Sequence, residues 1–249
     1  MMPVRLQEPV RSRATVEPGD LAPGVVEYAV GPAVTASALS LGLVEMAAGA
    51  SMRVRHTDVD EVLYALGGSV RADVEGESLE VDVDSALRLA AGEEAVITAS
   101  DAGARLLRAY AGPSADVHAP LGAPERVVVV DKQDVEDATS DRSYRVLFGP
   151  DNGFVRGTLF LGVVPPGAAP WHFHQYEELL WIHRGRTVFH QAGGTQEMEP
   201  GCVVRISARA PHINENPGDD DVLVIGLISP ASSPSAAYLA QPPHGRLAE

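Results

Sequence analysis

Residues 167–185 read Gly167-Ala-Ala-Pro-Trp-His172-Phe-His174-Gln-Tyr-Glu-Glu178-Leu-Leu-Trp-Ile-His-Arg-Gly185, and the spacing of their polar side chains decides how the chain is read. Residues two apart on a strand point to one face, so a strand through His172 and His174 projects both imidazoles to the same side. Glu178 keeps that parity after a short turn centred on Gln175–Tyr176. His212 follows the apolar run Val203–Ile206 and supplies a further imidazole from an adjacent strand if the sheet closes on itself. An isolated His-x-His pair on a strand is more often a surface or structural feature. The added glutamate, the following glycine and the distant histidine turn the reading toward a metal site.

A weaker copy of the pattern lies upstream. Gly49-Ala-Ser-Met-Arg-Val-Arg-His56 is followed by Glu61 and Gly68, and these features precede Gly167, His174, Glu178 and Gly185 by 117 or 118 positions. Four matched features in one order point to a duplicated unit rather than to two Gly/Ala-rich strands that look alike. Short β-rich stretches surround both copies. They include Ala38–Met46, Val62–Leu66, Ser69–Val74 and Ala95–Ile97, then Gly157–Val164, Leu179–His183, Thr187–Gln191, Cys202–Ile206 and Val222–Ile228. Turn residues separate them, a spacing that predicts a sandwich or barrel. Val83–Ala90 could pass for a helix, but its place in the repeat assigns it to a strand and turn.

Composition agrees with this. The 249 residues are 45% hydrophobic and include 24 Gly and 19 Pro, which suits a turn-rich β fold better than a helical bundle. A net charge of -15 disfavours nucleic acid or an anionic membrane as partner, while a local pocket can still oppose the overall field. With Cys202 as the one cysteine there is no intrachain disulfide. Neither a secretory leader pattern nor an apolar run of about 18 residues is present, so a cytoplasmic protein is expected. The expected organisation is an N-terminal arm (1–24), a first domain (25–112), a connection (113–144), a second domain (145–230) and a loosely ordered tail (231–249).

Gly167–Gly185 resembles the first conserved motif of the cupin superfamily, with its glycine, His-x-His pair, glutamate and second glycine. The gap between Gly167 and His172 is one residue shorter than usual. Gly201–Asn216 resembles the second motif, with His212 as its histidine and Asn216 at its end; Ser207 and Arg209 replace the usual proline and glycine. Extended through the repeat, the resemblance covers about residues 38–228. It implies an all-β chain of two tandem jelly-roll type antiparallel barrels, a bicupin. It also implies the metal ligands His172, His174, Glu178 and His212. In the first half His56 and Glu61 match the second histidine and the glutamate. Val54 takes the place of the first histidine and Gly103 that of the fourth ligand, so a degenerate site is expected there, with a His56–Glu61 pair.

Three imidazoles and a carboxylate suit one divalent transition metal, Fe, Ni, Mn, Cu or Zn, and leave room for water, substrate or oxygen. Leu180 and Ile182 share the inward parity of Glu178, Tyr176 lies in the turn, and Asn216 can orient His212 or touch ligand. These four are the expected pocket residues. Trp171 and Phe173 face the opposite side. The resemblance is to the quercetin- and diketone-type cupin dioxygenases. It implies a small-molecule enolate, phenolate or carboxylate substrate coordinated directly, with Glu178 as ligand and proton acceptor. Non-redox Lewis-acid chemistry (isomerase, cyclase, lyase or hydrolase) and a non-catalytic binding or structural bicupin stay open as alternatives. By analogy with the family, a homodimer is expected.

Overall fold

The computed structural model describes residues 14–15, 22–30, 39–112, 115–139 and 141–241. Most of the expected N-terminal arm and residues 242–249 of the expected tail lie outside them. Strand formation dominates throughout, as the alternating apolar pattern requires. The first half contains β1 (Ala14–Thr15), β2 (Val25–Val30), β3 (Leu39–Met46), β4 (Ser51–Arg55), β5 (Asp60–Val74), β6 (Glu77–Val81), β7 (Ser85–Leu89), β8 (Glu94–Ala111) and β9 (Val127–Val129). These make one antiparallel sheet in the order β1-β2-β3-β8-β5-β7-β9, with β4 added on β8 and β6 on β5.

The second half contains β10 (Glu136–Asp137), β11 (Ser143–Phe148), β12 (Thr158–Val164), β13 (Gly167–Ala168), β14 (His172–His174), β15 (Glu177–Arg184) and β16 (Thr187–Gln191). It continues with β17 (Gly194–Met198), β18 (Val203–Ile206), β19 (His212–Asn216), β20 (Val222–Ser229) and β21 (Ala237–Leu239). One sheet runs β10-β11-β12-β20-β15-β18, the other β17-β16-β19-β14-β21 with β13 on β19. Among the described residues no helix is long and apolar enough to cross a membrane. The 85–89 segment is a strand, as the repeat required. The connection expected at 113–144 is partly built into the fold, because β9 pairs with β7 and β10 with β11. The tail also contributes a strand: β21 pairs with β14.

The first half has one sheet and the second half two, and the difference falls at a pair of matched glycines. At Gly68 β5 bends through a bulge with φ +67°, and an added Cβ would stand 2.2 Å from the carbonyl oxygen of Gly103. At the equivalent Gly185, φ +87°, the chain instead leaves β15 and restarts as β16 in the other sheet.

Strand parity divides the apolar residues into three main layers. Val44, Leu63 and Leu106 pack within the first half, and Leu180, Ile182 and Val224 within the second. The alternate residues face across the join: Leu43, Tyr64 and Leu107 share one buried cluster with Leu159, Leu179, Trp181 and Leu227. At roughly 1.5–3 kcal/mol for each large apolar side chain fully buried, that layer holds the halves together.

The two interiors are filled in opposite ways. In the first half Arg108 of β8 sits between Gly42 and Leu63; in the second Gly226 of β20 sits between Phe160 and Leu180. Large and small residues have changed strands. Arg108 therefore occupies the interior where His56 and Glu61 point. Its Nε donates to Glu61 Oε1 at 2.5 Å, Nη2 to Glu61 Oε2 at 3.1 Å and Nη1 to Glu27 Oε2 at 2.9 Å. His56 Nε2 lies 3.2 Å from Glu61 Oε2. The expected His56–Glu61 pair is thus present, with a guanidinium at its centre. Burial would raise the Glu61 carboxyl; the Arg108 charge, joined by hydrogen bonds from His56 and Arg108, outweighs it and holds the group below the usual carboxylate range.

Removing one partner of such a buried pair leaves an uncompensated charge. Arg108→Met is expected to lose about 3–5 kcal/mol in urea unfolding, and Arg108→Met/Glu61→Leu to recover most of it. Equal midpoints for Arg108→Met and wild type would show that the guanidinium does not hold this interior.

Candidate metal centre

β14 and β19 run antiparallel with His172 opposite His212, and parity brings His174 to the same face. One ligand atom from each of the three histidines lies within 4.8 Å of the others. Ring centroids are 4.5 Å apart for His172–His212 and 4.6 Å for His174–His212. The turn before His212 forms despite its altered motif. Arg209, in place of the usual glycine, takes the left-handed conformation at φ +63°. Its main-chain N–H donates to the His174 carbonyl at 2.7 Å and its Nε to Gln175 Oε1 at 2.8 Å. These bonds tie the third histidine's strand to the second's.

Two of the rings are oriented by their own strands. Nδ1 of His172 bonds the carbonyl of Pro170 and Nδ1 of His212 that of Ala210, both at 2.9 Å. Spending Nδ1–H in this way leaves Nε2 as the free electron pair, the arrangement that fixes a metal-ligating tautomer. Burial lowers the basicity of all three. His174 is pushed down to about 3 by burial and then by His172. His212 falls well below the ordinary value from burial and both neighbouring imidazoles. His172 is lowered by burial first, with the Arg142 charge adding to it against the raising effect of Pro170. Neutral imidazoles at pH 7 are the form a metal takes, so the residues fit a divalent cation.

Glu178, on the other sheet, stands beside His174 but outside the group of three whose ligand atoms lie within 4.8 Å of one another. It is buried, and Oε2 lies 3.3 Å from His174 Nε2. Burial pushes its carboxyl up to about 8, so without a cation beside it the group keeps its proton near neutrality.

A cavity of about 110 Å³ opens beside these four residues. Tyr176 and Leu180 line it, and Tyr176 stacks on His174 at 4.4 Å. Two expectations are corrected. Ile182 is fully buried in the apolar layer below and does not line the cavity, because two further residues along β15 carry it past the open end. Asn216 is not in the wall either. Its Nδ2 donates to the carbonyls of Val164 and Asp220, and its Oδ1 accepts from Gly218, so the whole amide is used to close a turn. Phe173, turned away from the ligands as parity required, stacks on Tyr238. His183 packs on Tyr64 of the other half and His190 bonds Glu215.

Residues that were not singled out complete the wall. Arg142, Tyr144 and Ser235 come from the β10–β11 hairpin and the tail, and Phe160 and Asn214 from β12 and β19. Asn214 was legible, being two residues from His212 on the same strand. Nothing local pointed to Arg142 in what read as a solvated connection.

Residues 160–228 match the model of the cupin domain. The match falls within the second half and includes all three histidines. Solved structures agree on the fold at low identity. A point mutant of Bacillus subtilis oxalate decarboxylase superposes with a TM-score of 0.68 at 17% identity, covering 87% of this chain and 75% of that one. The putative glyoxylate induced protein of Pseudomonas aeruginosa gives 0.71 at 15%, covering 86% and 83%. No curated protein matches the chain. At such identities the likeness concerns architecture: an all-β, antiparallel cupin fold whose cupin domain contains the three-histidine cluster.

Glu178 makes the metal-free protein lose stability toward pH 8. Its native pKa of about 8 lies above the ordinary 4.5, so the folded state binds the proton more tightly, and stability falls as pH rises from 4.5 to about 8 and levels off above it. The histidines work in the other sense and only on the acid side, below 6.5. Urea unfolding of chelator-treated protein between about pH 6.5 and 8.5 is therefore expected to show decreasing stability, flattened in Glu178→Gln. A wild-type profile as flat as the variant's would contradict the raised pKa.

Proposed function

We propose that this chain is a bicupin, two tandem jelly-roll barrels, in which the second is a metal-dependent enzyme for a small organic metabolite and the first a structural partner. The observation that carries the reading is the convergence of three neutral imidazoles, two of them oriented by main-chain carbonyls, on a small cavity. His172, His174 and His212, with Glu178, would hold one divalent transition metal. Such a metal supplies Lewis acidity and, when redox-active, a route for electrons to dioxygen. An oxygen-using dioxygenase acting on a directly coordinated oxyanion is the first reading.

The chain's own residues do the rest. Pro170 and Ala210 carbonyls hold two ligand rings in one tautomer. Leu180, Ile206 and Phe160 give the cavity apolar walls that exclude water. Glu178 holds or accepts a proton at its carboxylate oxygens, next to the ligands. A cavity of about 110 Å³ is small beside the ~300–1,000 Å³ of sites for drug-sized ligands, which favours a diketone-sized molecule over a flavonol.

A second reading is a lyase, as in the oxalate decarboxylase the fold resembles. Glu178 bears on it, because replacing a carboxylate by hydrogen needs a proton and this carboxyl stands beside His174 in the same cavity.

Elemental mass spectrometry of untagged protein should find close to one equivalent of Fe, Ni, Mn or Cu per chain, lost in His172→Ala/His174→Ala. Oxygen uptake with substrate supports the dioxygenase; carbon dioxide release without net uptake supports the lyase. Zinc at that stoichiometry favours non-redox chemistry. Absence of any specific metal after reconstitution would overturn the enzyme reading in favour of a binding or structural bicupin.

A further inference from the structure

A cation shares the cavity with the three imidazoles. Arg142, from the turn between β10 and β11, lines the wall near enough to His172 for its charge to act on that ring. Its Nη2 donates to the main-chain oxygen of Asn214 at 2.7 Å, two residues beyond His212 on β19. The guanidinium is therefore docked on the histidine-bearing sheet and is half-buried there, instead of extending into solvent. Among the described residues lining the cavity, Glu178 is the one acid. In a chain of net charge -15 this pocket holds a fixed positive group, and a bound divalent metal would add to it.

A second observation points the same way. Asn214 also lines the cavity and is only 9% exposed, and its Oδ1 has no hydrogen-bond partner among the described residues. A buried acceptor without a donor is costly and uncommon in folded proteins, and a ligand that brings a donor relieves it. A guanidinium matches a carboxylate in charge and planar geometry, and Asn214 offers an acceptor that matches a hydroxyl.

We infer that Arg142 and Asn214 form the anchoring side of the substrate site, and that the substrate is a small hydroxy carboxylic acid. Arg142 binds the carboxylate, Asn214 Oδ1 accepts from the hydroxyl, and the lone pairs of that hydroxyl oxygen face the histidine cluster. This rests on the reading of the cavity as a substrate site and narrows the enolate, phenolate and carboxylate classes to the last. The apolar walls from Leu180, Ile206 and Phe160 leave little room for more than a short carbon chain.

Titration calorimetry on the full-length chain, with metal content measured on the same samples, tests the inference. Lactate, lactamide and pyruvate are the probes. Lactate is expected to bind, with lactamide weaker by about tenfold or more because it brings no charge to the guanidinium. Pyruvate, which lacks the hydroxyl, should fall between them. Arg142→Met should weaken lactate by about 10- to 100-fold without loss of metal. Arg142→Lys, which keeps the charge but not the planar geometry, should be intermediate. The lactate–lactamide comparison uses wild-type protein, so it stands even if a variant fails to fold. Equal binding of lactate and lactamide, unchanged affinity in Arg142→Met, or no binding of lactate or pyruvate would each overturn the inference. A chain that takes up no metal yet binds lactate through Arg142 would retire the metal reading alone. A chain that holds metal and ignores carboxylates would retire this inference alone.

Discussion

His172 and His212 face each other across an antiparallel strand pair, and the arrangement of the site depends on that register. Side chains alternate along a strand, so a slip of one residue would send His212 to the opposite face and leave two imidazoles without a third. The register is held by short-range bonds on both sides. The His174 carbonyl accepts from the Arg209 N–H, and β13 pairs Gly167 with Asn216 farther along the same strand. Asn216, with its amide committed to Val164, Gly218 and Asp220, fixes the end of β19. Its contribution is to the strand that presents the ligand, not to the pocket.

The two halves illustrate how one scaffold supports two kinds of interior. Where β8 carries Arg108 and β3 carries Gly42, a guanidinium fills the first half and satisfies Glu61 and Glu27. Where β20 carries Gly226 and β12 carries Phe160, the ring takes that volume; a Cβ on Gly226 would lie 2.1 Å from it. The aromatic ring brings no charge, so no guanidinium is set against the carboxyl of Glu178 as Arg108 is against Glu61. The opposite displacements of the two glutamates follow: Glu61 is held ionised by Arg108, whereas burial alone acts on Glu178 and keeps it protonated.

The cavity owes its closure to segments far from the motifs. The β10–β11 hairpin and the chain after Ser229 meet at Tyr144, whose hydroxyl donates to Glu136 and contacts the Ser233 hydroxyl. Tyr176 reaches the same segment through the Pro234 carbonyl. These contacts place neutral polar groups and Arg142 in the wall of the cavity beside the histidines.

The sequence by itself determined the strands, the repeat, the all-β class and the common face of His172 and His174. Each of these is a local consequence of two-residue periodicity and of glycine at turns. It also reached Leu180 and Tyr176, and the pairing of His56 with Glu61. Tertiary structure decided what parity cannot: how far along a strand the open space extends, and which distant side chains enter it. Ile182 has the right parity but lies below the cavity, and Asn216 is consumed by a turn, while Asn214 on the same strand faces the opening. Arg108 and Arg142 had no signature in sequence, because a charged residue in a strand or a hairpin reads as solvated until folding places it against buried partners. Depth and long-range proximity are properties of the packed sheets, and only packing could assign them.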